Sequence, residues 1–284
     1  MKDEAYKLMR EREGSYWWYR ARREIICDAV ARHVPPAARL LDYGCGTGAT
    51  ARALRDAGFD LTAADVSDHS LVACREAGLP TIDLRVEPLP VGSMDAVLAC
   101  DVLEHVEDEA GLLRQLRQAL RHDGRLILTV PAYEWLWSGE DYVSQHVRRY
   151  TRRSLLAAVR GAGLAPRWCS YFNTLRAPAV AGAILTKRLL APRAMYRSNV
   201  EPLPHWLNER LYRIFRLERS ALRHVRFPFG TSVLLVADRG GVDDLPPDRI
   251  GATVAGAEID ARQVLADDAQ GEHLRAGEDC DQGG

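Results

Sequence analysis

Between residues 39 and 131 the chain alternates short apolar runs with longer stretches whose apolar residues recur every three or four positions. The runs at 39–41, 61–64, 81–82, 95–100 and 125–130 are the length of buried strands. Residues 49–54, 68–77 and 107–121 have helical spacing, clearest where Leu112, Leu113, Leu116 and Leu120 share one face. Strand and helix in strict alternation predict an α/β fold, a doubly wound parallel sheet. Upstream, Ala5, Leu8 and Met9, then Ile25, Ile26, Ala29 and Val30, predict a helical segment over residues 1–34, set off by Pro35-Pro36. Downstream, a helix at 154–160 and strands at 167–171 and 229–237 continue the pattern.

The first strand runs into Asp42-Tyr43-Gly44-Cys45-Gly46-Thr47-Gly48 and then a helix. Glycines spaced two apart allow φ > 0 and a close approach of ligand to backbone. A dinucleotide turn has the spacing G-x-G-x-x-G; here the spacing is G-x-G-x-G. Asp42 would repel a pyrophosphate and suits an ammonium group. Asp65 ends the second strand about twenty residues on, where a carboxylate is placed to accept hydrogen bonds from a ribose diol. Asp83 follows the third strand and Cys100-Asp101 the fourth. Ligands of open parallel sheets bind at the carboxyl ends of the strands, so one rule gathers Asp42, Asp65, Asp83, Cys100 and Asp101 into one cleft.

The turn resembles motif I of class I S-adenosylmethionine (SAM)-dependent methyltransferases, D/E-x-G-x-G-x-G, at Asp42, Gly44, Gly46 and Gly48. Two further stretches resemble that family: Asp101-Val102-Leu103-Glu104-His105 after the fourth strand, and His146-Val147-Arg148-Arg149-Tyr150-Thr151 after the fifth. Residues 83–95 are similar to its segment D-x-x-x-L-P-x-x-x-x-S-F-D, with Leu89-Pro90 two positions late. The resemblance implies a Rossmann-like seven-stranded sheet whose last strand is antiparallel. It also implies a bound SAM: Asp42 and Gly44, Cys45, Gly46 and Gly48 at the methionine end, Asp65 with Val66 at the ribose, Asp83 with Leu84 at the adenine, and Cys100 and Asp101 beside the methyl group. A second register puts Arg85 at the adenine. Small-molecule members carry an N-terminal helical cap, so the run Tyr16-Trp17-Trp18-Tyr19 with its arginines is either a helix packed on the domain or a lid whose Arg20 or Arg22 pairs with the cofactor carboxylate.

Composition adds limits. Six scattered cysteines without a C-x-x-C pair suit reduced thiols and no metal site. A formal net charge of -1 gives no general reason to expect nucleic acid. No apolar run spans a bilayer and the charged N-terminus lacks a signal-peptide core, so a cytoplasmic protein is expected. That near-neutrality hides an asymmetry. Residues 173–227, an insertion, hold eleven Arg or Lys, including Arg193 and Arg197, against Glu201, Glu209 and Glu218. Arg210, Arg213, Arg216 and Arg219 flank an apolar helical face with Trp206, Ile214 and Phe215. This is either a packed helical subdomain or, through residues 200–226, a peripheral contact with anionic membrane or a lipid-linked substrate. Residues 240–284 are acidic and are expected to be disordered. The expected organisation is therefore a cap over 1–36, the methyltransferase domain over 37–239 and the tail.

Methyl transfer from a sulfonium needs position and a water-poor cleft. A hydroxyl acceptor also needs a base, for which His146 in its aromatic loop and His105 are the candidates; an amine acceptor needs none. The expected partner is a small-molecule or lipid-linked acceptor methylated at oxygen or nitrogen. Two other readings are a nicotinamide-dependent oxidoreductase with Asp65 on the ribose and a non-catalytic SAM-binding scaffold.

Overall fold

Leu40 and Leu41 are both fully buried, but in different cores, because neighbouring strand residues face opposite sides of a sheet. The computed structural model of the chain describes residues 10–190 and 203–241. Its sheet contains β1 (Arg39–Tyr43), β2 (Asp60–Asp65), β3 (Thr81–Asp83), β4 (Met94–Cys100), β5 (Leu120–Pro131), β6 (Ala165–Phe172) and β7 (Ser232–Asp238) in the order β3-β2-β1-β4-β5-β7-β6. β7 runs antiparallel to both neighbours; the other pairings are parallel. This is the Rossmann-like seven-stranded arrangement.

The helices are α1 (Trp17–His33), α2 (Ala49–Asp56), α3 (Asp68–Glu76), α4 (Glu109–Ala119), α5 (Gly139–Val143), α6 (Arg152–Gly161), α7 (Ala177–Leu190) and α8 (His205–Ala221). One core joins α1, α2 and Phe215 of α8 to Leu40, Leu98, Ile127 and Val236. The other joins α4 and α6 to Leu41, Val97, Leu128 and Leu235. With both faces covered, the central strands are apolar throughout, which is why their runs are continuous.

Local reading misplaces two boundaries. α4 stops at Ala119 and β5 starts at Leu120, five residues ahead of the apolar run at 125–130. Leu120 pairs with Met94 before a register shift, and Gly124 fits there because a Cβ would lie 2.9 Å from the Met94 carbonyl oxygen. His122-Asp123-Gly124 thus belongs to an irregular strand instead of a helix stop. The insertion contains two helices, α7 and α8. Arg193, Arg197 and Glu201, like Ala5, Leu8, Met9 and the tail from residue 242, lie outside the described residues.

α8 explains the aromatic run. Trp17 and Trp18 each meet Phe215 edge-on at 5.7 Å between centroids. Arg20 pairs with Glu209 and lies over the Tyr212 ring at 3.9 Å. Arg219 pairs with Glu24 at 2.9 Å, and Arg223 donates to Asp28 at 2.9 Å. Part of the insertion's basic flank therefore joins α8 to α1, and both tryptophans pack into that contact.

Candidate active site

The register of the sheet sets one row at its carboxyl edge. Asp83 is opposite Asp65, and Cys100 is opposite Thr129. Tyr43 is paired with Ala64 on one side and Ala99 on the other. Gly44 therefore leaves β1 between Asp65 and Cys100. Its φ is 72°, and a Cβ there would sit 2.6 Å from Val102 Cγ2; only glycine fits. The Gly44 and Cys45 N–H groups donate to the Ala64 carbonyl at 2.8 and 3.2 Å.

Asp65 organises the turn. Its Oδ2 accepts the Gly46 N–H at 2.9 Å and its Oδ1 accepts the Ser67 N–H at 2.9 Å. One carboxylate thereby joins the glycine turn to the loop after β2, in which Val66 is exposed. Asp42 is buried behind the turn; burial, and then the charge of Asp65, push its pKa up to about 7 against the opposing pull of Arg22.

Asp83 stands at the end of β3, with its carboxylate held by Arg85 Nε at 2.9 Å. Arg85 also reaches Asp68 at 3.0 Å. The two residues that compete for the adenine position in sequence are thus partners, and the Arg85 hydrogen bond holds Asp83 below the usual carboxylate range. Leu84 donates its N–H to the Asp65 carbonyl at 3.1 Å.

On the other side of the turn Asp101 has φ 59°. Its Oδ2 is 2.6 Å from Arg22, and its Oδ1 accepts the Thr129 hydroxyl at 2.8 Å. Arg22 also donates to Thr129 Oγ1 at 2.9 Å. Burial opposes the charge of Arg22, but Asp101 outweighs it and raises its pKa. Cys100, just below, is pushed by burial up to about 12.

The loop after β5 carries His146. Its Nδ1 lies 2.8 Å from Asp141 Oδ1. Asp141 is fully buried and also accepts from Arg149 at 2.7 and 2.8 Å and from the Ser138 N–H at 2.7 Å. Burial alone would raise its pKa; the bonds from His146 and Arg149 prevail and hold it well below the usual range. The His105 ring meets the His146 ring edge-on at 4.7 Å. Burial and His146 lower His105 to about 4, so it is neutral at physiological pH. Glu104, beneath them, has both oxygens buried without a hydrogen-bond partner, and burial favours its protonated form. Among the described residues, the ligand atoms of Glu104, His105 and His146 come within 4.8 Å of one another, close enough to hold a divalent ion. The sequence pattern does not point to such a set.

Four residues join the site that sequence reasoning missed. Thr129 is the polar residue inside an otherwise apolar run, and Ser138-x-x-Asp141 is a capping box; both signals were readable. Thr47 donates its hydroxyl to Glu13, which also accepts from Arg52 at 2.7 Å. Glu13 has no local signal of this role.

Residues 17–167 match the family described as Methyltransferase domain. The chain is 31% identical over 157 residues to a ubiquinone biosynthesis O-methyltransferase of Xanthomonas axonopodis pv. citri, covering 47% of this chain and 65% of that relative. It is 28% identical over 181 residues to the protein of that name from Xylella fastidiosa, covering 53% of this chain and 74% of the relative. The fold is shared with a methyltransferase solved in complex with the Trm112 activator from Haloferax volcanii, at 19% identity and TM-score 0.54, covering 84% of this chain and 95% of that one. With more than half its length inside the matched domain, the chain belongs to the methyltransferase domain family.

Proposed function

We propose that this chain transfers a methyl group from SAM to a hydroxyl of a small molecule. The observation that carries the reading is the Asp65 carboxylate joining the glycine turn at Gly46 to the loop after β2, in a chain of the methyltransferase family. Relatives named for O-methylation in ubiquinone biosynthesis support oxygen as the acceptor atom. The Gly44–Gly48 turn and Asp42 hold the methionine end, Asp65 the ribose, and Asp83 with Leu84 the adenine. SAM supplies an activated methyl. His146, with Nδ1 on Asp141, presents Nε2 to the acceptor and takes its proton as the oxygen attacks. His105 is a neutral neighbour that spares His146 a second positive charge. Release of S-adenosylhomocysteine from labelled SAM, with a panel of hydroxylated acceptors, tests the reading. His146→Ala is expected to lower kcat about a hundredfold while S-adenosylhomocysteine affinity stays within twofold. Unchanged kcat would remove His146 as the base.

Asp42 adds a pH dependence. An ammonium group beside it favours the charged carboxylate, so cofactor binding releases a proton below pH 7. Affinity is expected to rise by up to roughly tenfold per pH unit as pH approaches 7 and then to level off. The free protein changes the opposite way: unfolded Asp42 ionises near the ordinary carboxylate value and folded Asp42 only at about 7. The unfolded state therefore binds fewer protons between those values, and stability falls over that window as pH rises. Asp42→Asn should flatten both profiles in calorimetric titration and thermal melting.

Peripheral contact with anionic lipid is also proposed, through the outer stripe of α8. Trp206, Arg210, Arg213, Ile214 and Leu217 are exposed and share a helical face. None of the described helices is long and apolar enough to cross a membrane. Co-sedimentation with phosphatidylglycerol vesicles at low salt is expected, with loss of binding in Trp206→Ser/Arg210→Glu; wild-type protein left in the supernatant would remove the proposal.

A further inference from the structure

Two thiols meet under the cofactor turn. Cys45 stands on the turn between Gly44 and Gly46, and Cys74 lies near the end of α3. Their sulfurs are 3.6 Å apart and share a hydrogen bond, with Cys45 9% exposed and Cys74 fully buried. Cys45 Sγ also lies 3.9 Å from Asp65 Oδ2. The packing is close, since a Cβ at Gly48 would lie 2.7 Å from Cys74 Sγ. Methyl transfer uses neither sulfur as a nucleophile, so the proposed reaction does not account for their contact.

We propose that Cys45 and Cys74 are a reversible oxidation site, at which a peroxide closes a disulfide that draws the glycine turn away from its cofactor-binding position. The inference rests on the reading of that turn as the SAM site. Cys45, the more exposed sulfur, faces the cleft and meets the oxidant. Its thiol is oxidised to a sulfenic acid as the peroxide O–O bond breaks, leaving water when the oxidant is hydrogen peroxide. The Cys74 sulfur then attacks the sulfenic sulfur, an S–S bond forms, and the oxygen leaves as a second water. Two electrons and two protons pass from the thiol pair to the peroxide. A dithiol reverses the step by exchange.

The geometry sets the consequence. A disulfide has its sulfurs about 2.05 Å apart, so the pair must close by roughly 1.5 Å. Cys74 is held in α3, whereas Cys45 belongs to the turn. The Cys45 main chain follows its sulfur, and the Gly46 N–H is pulled off Asp65. Selectivity over the other described cysteines has a physical basis: burial pushes Cys27 and Cys100 up to about 12 and Cys169 to about 11. Only the thiolate is a good nucleophile, and for Cys74 the hydrogen bond from Cys45 favours it.

Reduced full-length protein is treated with hydrogen peroxide, mapped by mass spectrometry without reductant, and titrated with S-adenosylhomocysteine before oxidation, after it and after dithiothreitol. The expected result is a Cys45–Cys74 linked peptide lighter by two hydrogens, at least tenfold weaker binding, and full recovery on reduction. Pre-bound S-adenosylhomocysteine should slow the linkage. Cys74→Ser and Cys74→Ala should bind as the reduced protein does and be insensitive to peroxide. No linked peptide, or a linked protein that binds with unchanged affinity, overturns the proposal. A reduced protein that does not bind S-adenosylhomocysteine at all counts against the cofactor reading and against the effect on binding, while the peptide map still judges the linkage.

Discussion

Asp65→Ala is expected to weaken S-adenosylhomocysteine binding by at least a hundredfold in calorimetric titration. The carboxylate holds the N–H groups of Gly46 and Ser67 at 2.9 Å each, and it is itself buried. Leaving a buried donor without its acceptor costs about 1–3 kcal/mol, and each 1.4 kcal/mol is roughly tenfold in affinity. Two such donors, together with the proposed ribose contact, exceed the hundredfold mark. Part of the loss falls on the free protein, because both hydrogen bonds exist before any ligand arrives, so the melting temperature should drop as well. Asp65→Asn separates the contributions: it keeps one acceptor oxygen and should bind with intermediate affinity. If the alanine variant binds as the wild type does, Asp65 does not hold the cofactor.

That the turn could be read from sequence and much of its surroundings could not has a physical cause. Gly44 is a backbone requirement, a left-handed φ in contact with Val102, and only one residue type satisfies it. Asp65 is set by strand length and lies where β2 ends. Both facts are local, so the string carries them. Thr129 acquires its role from Asp101 and Arg22, which come from a neighbouring strand and from α1. Glu13 acquires its role from Thr47 and Arg52, more than thirty residues away. The four aromatics at 16–19 could be read as a lid or as packing because Phe215, the partner of both tryptophans, is nearly two hundred residues downstream. Local spacing reports which face of an element is apolar, and tertiary pairing decides what covers it.

The same distinction governs the second large effect. Arg149→Met is expected to lower the melting temperature by on the order of 10 °C. Asp141 is fully buried, and Arg149 is its cationic partner through two hydrogen bonds of 2.7 and 2.8 Å, with His146 and Ser138 completing its shell. Removing one member of a buried ion pair costs about 3–5 kcal/mol, because the other charge stays behind; at about 2–4 °C per kcal/mol for a domain of this size, the shift follows. The pH dependence has a definite sign. Folded Asp141 is held below its unfolded value, so its contribution is complete above the ordinary carboxylate pKa and is lost as pH falls below it. Without Arg149 that depression shrinks, and the acid limb of the stability curve should move to higher pH. Asp141→Asn in the Arg149→Met background should recover part of the loss, because no charge is then buried unpaired. Melting within about 2 °C of wild type would mean that His146 and Ser138 suffice to hold the carboxylate. The imidazole proposed as the base would then be oriented by Asp141 alone, independently of the Arg149 guanidinium.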